Sequence, residues 1–206
     1  MPVTVLAHQV PVLAAKRRWP ALDGVAMVVG SMAPDLAQAT SRTTARYLFG
    51  QPMWWDGHSF RQQFQWCLPV GLLLTWLVRR FLAPRLAPYL PDLGVAHLRD
   101  IGLVARTRHR WWVVAASVLV GSFSHLALDQ LTHADSALAR AVPLLQRNVV
   151  HLGPNGVEVA LALQVVLSVA LSAVAVVQLR RIGRERALWG WAGLPVGVLP
   201  TPRYPV

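Results

Sequence analysis

The chain of 206 residues is 54% hydrophobic and only 14% charged, with a mean hydropathy of +0.41. Charged residues make up about a quarter of a water-soluble domain, so an ordinary soluble globule is excluded and much of the outer face must meet lipid. The 20 basic against 9 acidic residues give a formal charge of +11. The arginines nevertheless stand in short clusters at the ends of apolar runs, the pattern of membrane-flanking charge and not of a nucleic-acid binder with a polar, aromatic-laced basic face.

Taken in chain order, two apolar stretches, Val3 to Ala15 and Ala21 to Ala33, are separated by Lys16, Arg17 and Arg18. Each is shorter than the roughly 20 residues a bilayer crossing needs, and they are expected to form a short helical hairpin whose basic turn faces the cytoplasm. With no basic leader before the first stretch and no small-residue cleavage site after it, no removable signal peptide is expected. A full span runs from about Phe60 to Val78 and stops at Arg79 and Arg80. The segment from Leu82 to Asp92, with Pro84, Pro88 and Pro91, reads as an interfacial cytoplasmic connection that breaks any continuous helix. A second span runs from Trp111 to about Leu128 behind Arg106, Arg108 and Arg110, and a third from Val157 to Leu179 ahead of Arg180, Arg181, Arg184 and Arg186. The bilayer forces such spans to be helical.

The expectation is an all-α, multi-pass membrane bundle of about five helices, two short N-terminal ones and three full spans. Residues 1–186 form one membrane-embedded domain, and residues 187–206 a short, proline-rich peripheral tail. The positive-inside rule puts every arginine cluster and the C-terminus in the cytoplasm. The single cysteine, Cys67, excludes an intramolecular disulfide and a cysteine zinc cluster and reads as a small buried hydrophobe. A transporter is disfavoured because no inverted repeat or matched pair of broken spans is present.

Ionisable groups in membrane helices are costly and are functional candidates by default. With this topology His8 lies partway along the first helix, Asp35 just after the second, His58 just before the third, and His125, Asp129 and His133 at the end of the fourth, all toward the extracytoplasmic side. On a helix His125 and Asp129 share one face at i, i+4, and imidazole and carboxylate at that separation can reach one Zn²⁺. The plainer readings are that His125 and Asp129 only bond each other as polar glue between helices, that Asp35 after Pro34 terminates its helix, that Ser59 beside His58 is an N-cap, and that His133 is a solvated loop residue. His97 and His109 fall on the opposite side as ordinary surface histidines, and His151 sits in a Gly/Pro loop as an accessory candidate.

The segments Ala7-His8, Gly30-Ser31-Met32-Ala33-Pro34-Asp35, Gly57-His58-Ser59 and Gly121-Ser122-Phe123-Ser124-His125-Leu126-Ala127-Leu128-Asp129-Gln130-Leu131-Thr132-His133 resemble, in order, the motifs of a bacterial integral-membrane family, domain of unknown function 4184. More distantly they are similar to membrane-bound metal-dependent hydrolases and zinc-dependent phospholipase C type proteins. The resemblance covers roughly residues 1 to 180. It implies an all-α protein of the bacterial cytoplasmic membrane in which His8, Asp35, His58, His125 and Asp129 match ligand-type positions. The chain departs from the hydrolase-like pattern in two places. Leu36, Ala37 and Gln38 follow Asp35 where a second carboxylate is usual, and Trp54, Trp55 and Asp56 stand where a His-Arg pair precedes the His-Ser. One zinc ion is therefore expected in preference to two.

The functional expectation is a membrane-embedded hydrolase in which Zn²⁺ lowers the pKa of a water to about 7 and so supplies the hydroxide that attacks a phosphoester or ester of an amphiphilic, lipid-like substrate at the outer face. Asp56, Asp135 and Glu158 are the acidic residues expected on that side and are candidates for the general base. The alternative is a non-catalytic membrane protein whose His/Asp cluster is structural. Membrane lipid is the expected surrounding partner, and nucleic acid is not.

Overall fold

The computed structural model describes residues 5–40, 57–91, 97–132, 140–152 and 155–197. The first helix, α1 (Gln9–Arg18), ends on its own basic turn, where cations meet the partial negative charge of the helix C-terminus. Lys16 does not project into solvent as a flanking charge. It is 4% exposed, and its Nζ donates to the carbonyls of Pro20 and Leu22 at 2.7 Å each. Burial pushes its amine below the usual lysine range, with Asp23 opposing and Arg79 adding to the effect.

The next helix, α2 (Gly24–Ala39), starts on Asp23, whose carboxylate accepts from the Ala26 N–H at 3.1 Å in a standard N-cap. The helix runs on through Pro34. Asp35, expected just past its end, therefore lies within α2, and Pro34 does not terminate it. Thr40 closes the last turn by donating back to the carbonyls of Leu36 and Ala37.

The break expected over Leu82 to Asp92 comes only at Leu90, after Tyr89. A continuous helical segment, α3 (Phe60–Tyr89), passes through Pro69, Pro84 and Pro88. Two π-helical turns, Gln63–Cys67 and Val78–Leu82, explain this. Each stands immediately ahead of a proline at the start of the next α-helical stretch, Pro69 and Pro84. A proline ring clashes with the carbonyl one turn back, and a widened turn moves that carbonyl away: Leu68 N–H bonds to Gln63 O and Ala83 N–H to Val78 O, each five residues back.

After a 3₁₀ segment, Leu98–Ala105, the long helix α4 (Trp111–Thr132) follows. Next comes a short antiparallel hairpin, β1 (Asn148–Leu152) and β2 (Asn155–Glu158), pairing Val150 with Val157 and His151 with Gly156. The last span was expected to begin at Val157. Val157 and Glu158 instead complete the hairpin, and α5 (Val159–Arg184) starts with Val159 N–H bonded to Arg147 O at 2.8 Å. Of the arginines expected to flank that span, Arg180, Arg181 and Arg184 lie in its last turns and Arg186 just beyond it. A short helix, α6 (Ala187–Trp191), follows and buries Trp189.

The architecture is thus a helical bundle with one small hairpin at its edge. Three stretches, Phe60–Tyr89, Trp111–Gln130 and Leu161–Arg184, are long and apolar enough to cross a membrane, with mean hydropathies of 1.4, 1.6 and 2.2. Helix α5 leaves Val165, Val166, Val169 and Val177 more than half exposed, a row of apolar side chains that suits a lipid solvent and not water.

Helix α2 is the centre of packing and crosses α4 in backbone contact. A Cβ on Gly30 would lie 2.2 Å from Val118 O, and one on Gly121 would lie 2.1 Å from Met27 O. Small residues are what permit such an approach between membrane helices. The bundle has two distinct ends. At one, Asp23 pairs with Arg79 at 2.9 Å, Arg17 with Glu185 at 2.9 Å and Arg186 with Asp100 at 2.8 Å, so the arginine clusters gather together as the sequence reading required. The other end, about 18 Å farther along α2 by the 1.5 Å helical rise, holds Asp35.

Candidate metal centre

Five of the six residues singled out from sequence meet at that second end. His125 is fully buried on α4, and Asp129 stands one turn on with its Oδ2 3.1 Å from His125 Nε2. The same Oδ2 is 3.2 Å from His58 Nε2, and the other oxygen, Oδ1, is 3.6 Å from His8 Nε2. Asp35 Oδ1 lies 3.6 Å from His125 Nε2. The His8 and His125 rings stack with centroids 3.9 Å apart and planes 19° from parallel. Two sets of ligand-type atoms, from His8, Asp35 and His125 and from His58, His125 and Asp129, share His125 as their common member. His133, Asp56 and Asp135 lie outside the described residues, as do the side chains of Glu158 and His151, although Glu158 closes the hairpin directly before α5.

Each side chain is placed by a local device. His8 is the N-cap residue of α1 and makes no capping bond with its ring. It is steadied by its neighbour Gln9, whose Oε1 accepts from Ser31 Oγ at 3.2 Å while its Nε2 donates to Val5 O. On α2, Pro34 has no N–H to give to Gly30 O, and its ring loosens the adjacent turn. Within that turn the Ser31 carbonyl faces His125 Nδ1 at 2.7 Å. A carbonyl can only accept, so Nδ1 carries the proton. His58 follows Gly57, whose φ of +68° and approach to Pro34 O, 2.5 Å from where a Cβ would stand, admit only glycine. The buried Gln63, in the first π turn of α3, donates to Gly57 O at 2.8 Å and Ser59 O at 3.2 Å and pins this loop across the mouth of the site.

The state of His125 follows from these contacts. With Nδ1 committed to the Ser31 carbonyl, Nε2 is the ring nitrogen turned toward the two carboxylates. Although Asp129 is only 3.1 Å away, Nε2 has no hydrogen bond among the described residues, because the approach lacks the alignment one requires. Two carboxylates gathered at a buried nitrogen are stabilised by positive charge between them. The four nitrogen–oxygen separations, 3.1 to 3.6 Å, bracket the edge of about 3.3 Å that a tetrahedron with metal–ligand bonds of about 2.0 to 2.1 Å would have. The second-nitrogen bond from a ligating histidine to a backbone carbonyl is the usual outer-shell support. Each of the two sets could therefore hold a divalent cation, with His125 Nε2 offered to both.

Ser31, Gln9 and Gln63 were not singled out from sequence. The signal available was polarity inside apolar stretches, and Ser31 stood within a quoted motif. Removing the Gln63 amide with Gln63→Leu is expected to lower cation affinity about tenfold by releasing His58, in the range of lost outer-shell partners. Zinc titration of the purified variant measures this. His109, read as a surface histidine, is half-buried at the arginine-rich end and lines a cavity there. Cys67 is buried, as expected of a small hydrophobe.

Residues 1–198 match the model of Domain of unknown function (DUF4184), and the chain belongs to that family. No curated protein and no solved structure matches it.

Proposed function

We propose that this DUF4184 member is an integral membrane metalloprotein that holds one divalent cation, preferably Zn²⁺, between His125, Asp129, His58, His8 and Asp35, and uses it to hydrolyse an ester or phosphoester of an amphiphilic substrate. The observation that carries the reading is the buried His125 ring, fixed through Nδ1 to the Ser31 carbonyl at 2.7 Å and directing Nε2 at two carboxylates without a hydrogen bond. A single available nitrogen on the shared residue favours one ion over two.

Catalytic zinc sites keep a coordination position open, whereas structural ones are closed. Here the side chains of His58 and Asp35 are 29% and 27% exposed, against 0% for His125, so one face of the cluster is reachable. A cation there would polarise the oxygen under attack and lower the pKa of a water. By the positive-inside rule the arginine-rich end is cytoplasmic and the site opens toward the outer leaflet of a bacterial inner membrane, where lipid ester and phosphoester bonds are within reach.

The test is metal content and turnover on the full chain in detergent. After chelation and zinc titration the wild type is expected to retain a single ion per chain and to cleave at least one member of a phospholipid panel. His125→Ala should lose both while keeping its helical circular dichroism. Zinc retention equal in the wild type and His125→Ala would overturn the metal site. Retention with no turnover across the panel would overturn the hydrolase and leave a structural metal.

A further inference from the structure

A second site stands at the opposite end of the bundle. A cavity of about 440 Å³ opens between α3 and the segment that enters α4, within the range of about 300 to 1,000 Å³ usual for small-ligand sites. It is lined by Arg79, Arg80 and His109 together with the apolar Leu72 and the rings of Trp76 and Trp111. Among the described residues the lining contains no carboxylate. Asp23 pairs with Arg79 from behind, Nη2 to Oδ1 at 2.9 Å, and is itself fully buried. Among the described residues Arg80 is given no carboxylate partner, and Arg79 Nε is buried with no acceptor. Trp76 and Trp111 are 54% and 75% exposed, amphipathic rings of the kind that sit at headgroup depth.

We propose that this cavity binds the headgroup of an anionic phospholipid, its phosphate held by Arg79, Arg80 and His109 and its glycerol and first methylenes laid against Leu72 and the two tryptophans. The position supports a lipid in preference to a soluble anion. The cavity lies between two stretches long enough to span a bilayer, in the arginine cluster that marks the interface, and basic pockets between membrane helices recognise such headgroups. The polar rim and apolar wall match the two parts of a phospholipid, whereas a free phosphate would use only the first. This site is independent of the metal centre.

Native mass spectrometry of the full chain in detergent, with phosphatidylglycerol or phosphatidylcholine added, tests the assignment. Phosphatidylglycerol is expected to be retained in preference. Arg80→Gln should weaken its binding about fivefold, from the roughly 1 kcal/mol that one arginine contributes near an anionic surface, and Trp111→Ala should weaken it as well. Arg180→Gln, an equal change of charge at the same end outside the cavity, should leave it unaltered. Arg79 is left intact because it also holds Asp23. Equal retention of the two lipids, or equal loss in Arg80→Gln and Arg180→Gln, would overturn the proposal. Displacement of phosphatidylglycerol by millimolar inorganic phosphate would overturn it too, in favour of a soluble-phosphate site.

Discussion

Asp129→Asn is expected to abolish zinc retention while leaving the bundle folded. Among the described residues Asp129 alone lies within 3.6 Å of three imidazoles, and the substitution keeps its size while removing its charge. Loss of an outer-shell partner alone costs about 10- to 100-fold in metal affinity, so loss of this carboxylate should cost at least about 100-fold. Thermal unfolding in detergent decides what Asp129 is for. If the cluster holds a cation, zinc at 100 times its dissociation constant stabilises the wild type by about 2.7 kcal/mol and does nothing for the variant. If Asp129 serves only as an acceptor between helices, zinc has no effect on either protein. The variant is then simply less stable, by the roughly 1 to 3 kcal/mol of a buried donor left without its partner.

The parts of this centre that the sequence made legible are the local ones. His125 and Asp129 are four residues apart on one helix, and helical periodicity alone brings them together. The convergence of His8, Asp35 and His58 was legible one step less directly, through the arginine clusters: these fixed which end of each helix faces which side, and the remaining polar residues fell at the other end. What could not be read was anything carried by main-chain atoms. The Ser31 carbonyl that orients His125 and the Gly57 carbonyl held by Gln63 leave no mark in residue type.

Prolines misled for a related reason. The rule that a proline breaks a helix assumes an α-helical turn before it. The turn before Pro84 is π-helical, a backbone choice with no strong residue signature. Val157 was counted into the last span because apolarity does not separate a strand residue from a membrane helix. Lys16 was assigned to a solvated turn, although its ammonium fills the carbonyl acceptors of the loop that follows. Pairings across the fold, such as Asp23 with Arg79 56 residues away, need the helices to be placed first.

Because a side-chain substitution cannot remove the Ser31 carbonyl, the crossing of α2 and α4 is the means of testing its role. Gly121→Val places a Cβ 2.1 Å from Met27 O and 2.8 Å from Ser31 N, both rigid backbone atoms, and the helices must separate. Overpacking of this kind costs about 1 to 3 kcal/mol. Gly121 lies one turn before His125, so the separation lengthens the 2.7 Å bond between Nδ1 and Ser31 O. Zinc affinity is expected to fall about 10- to 100-fold although no ligand has been altered. Gly30→Ala pushes on the same crossing from the other helix, against Val118 O, so the two changes should combine to less than the sum of their separate effects. Gly190→Ala, with nothing within 4 Å of the new Cβ, should leave affinity unchanged. If Gly121→Val lowered the unfolding temperature but left zinc affinity at the wild-type value, the orientation of His125 would not depend on the Ser31 carbonyl. If both fell together, the glycines of the two motifs act by bringing that carbonyl within reach of the histidine.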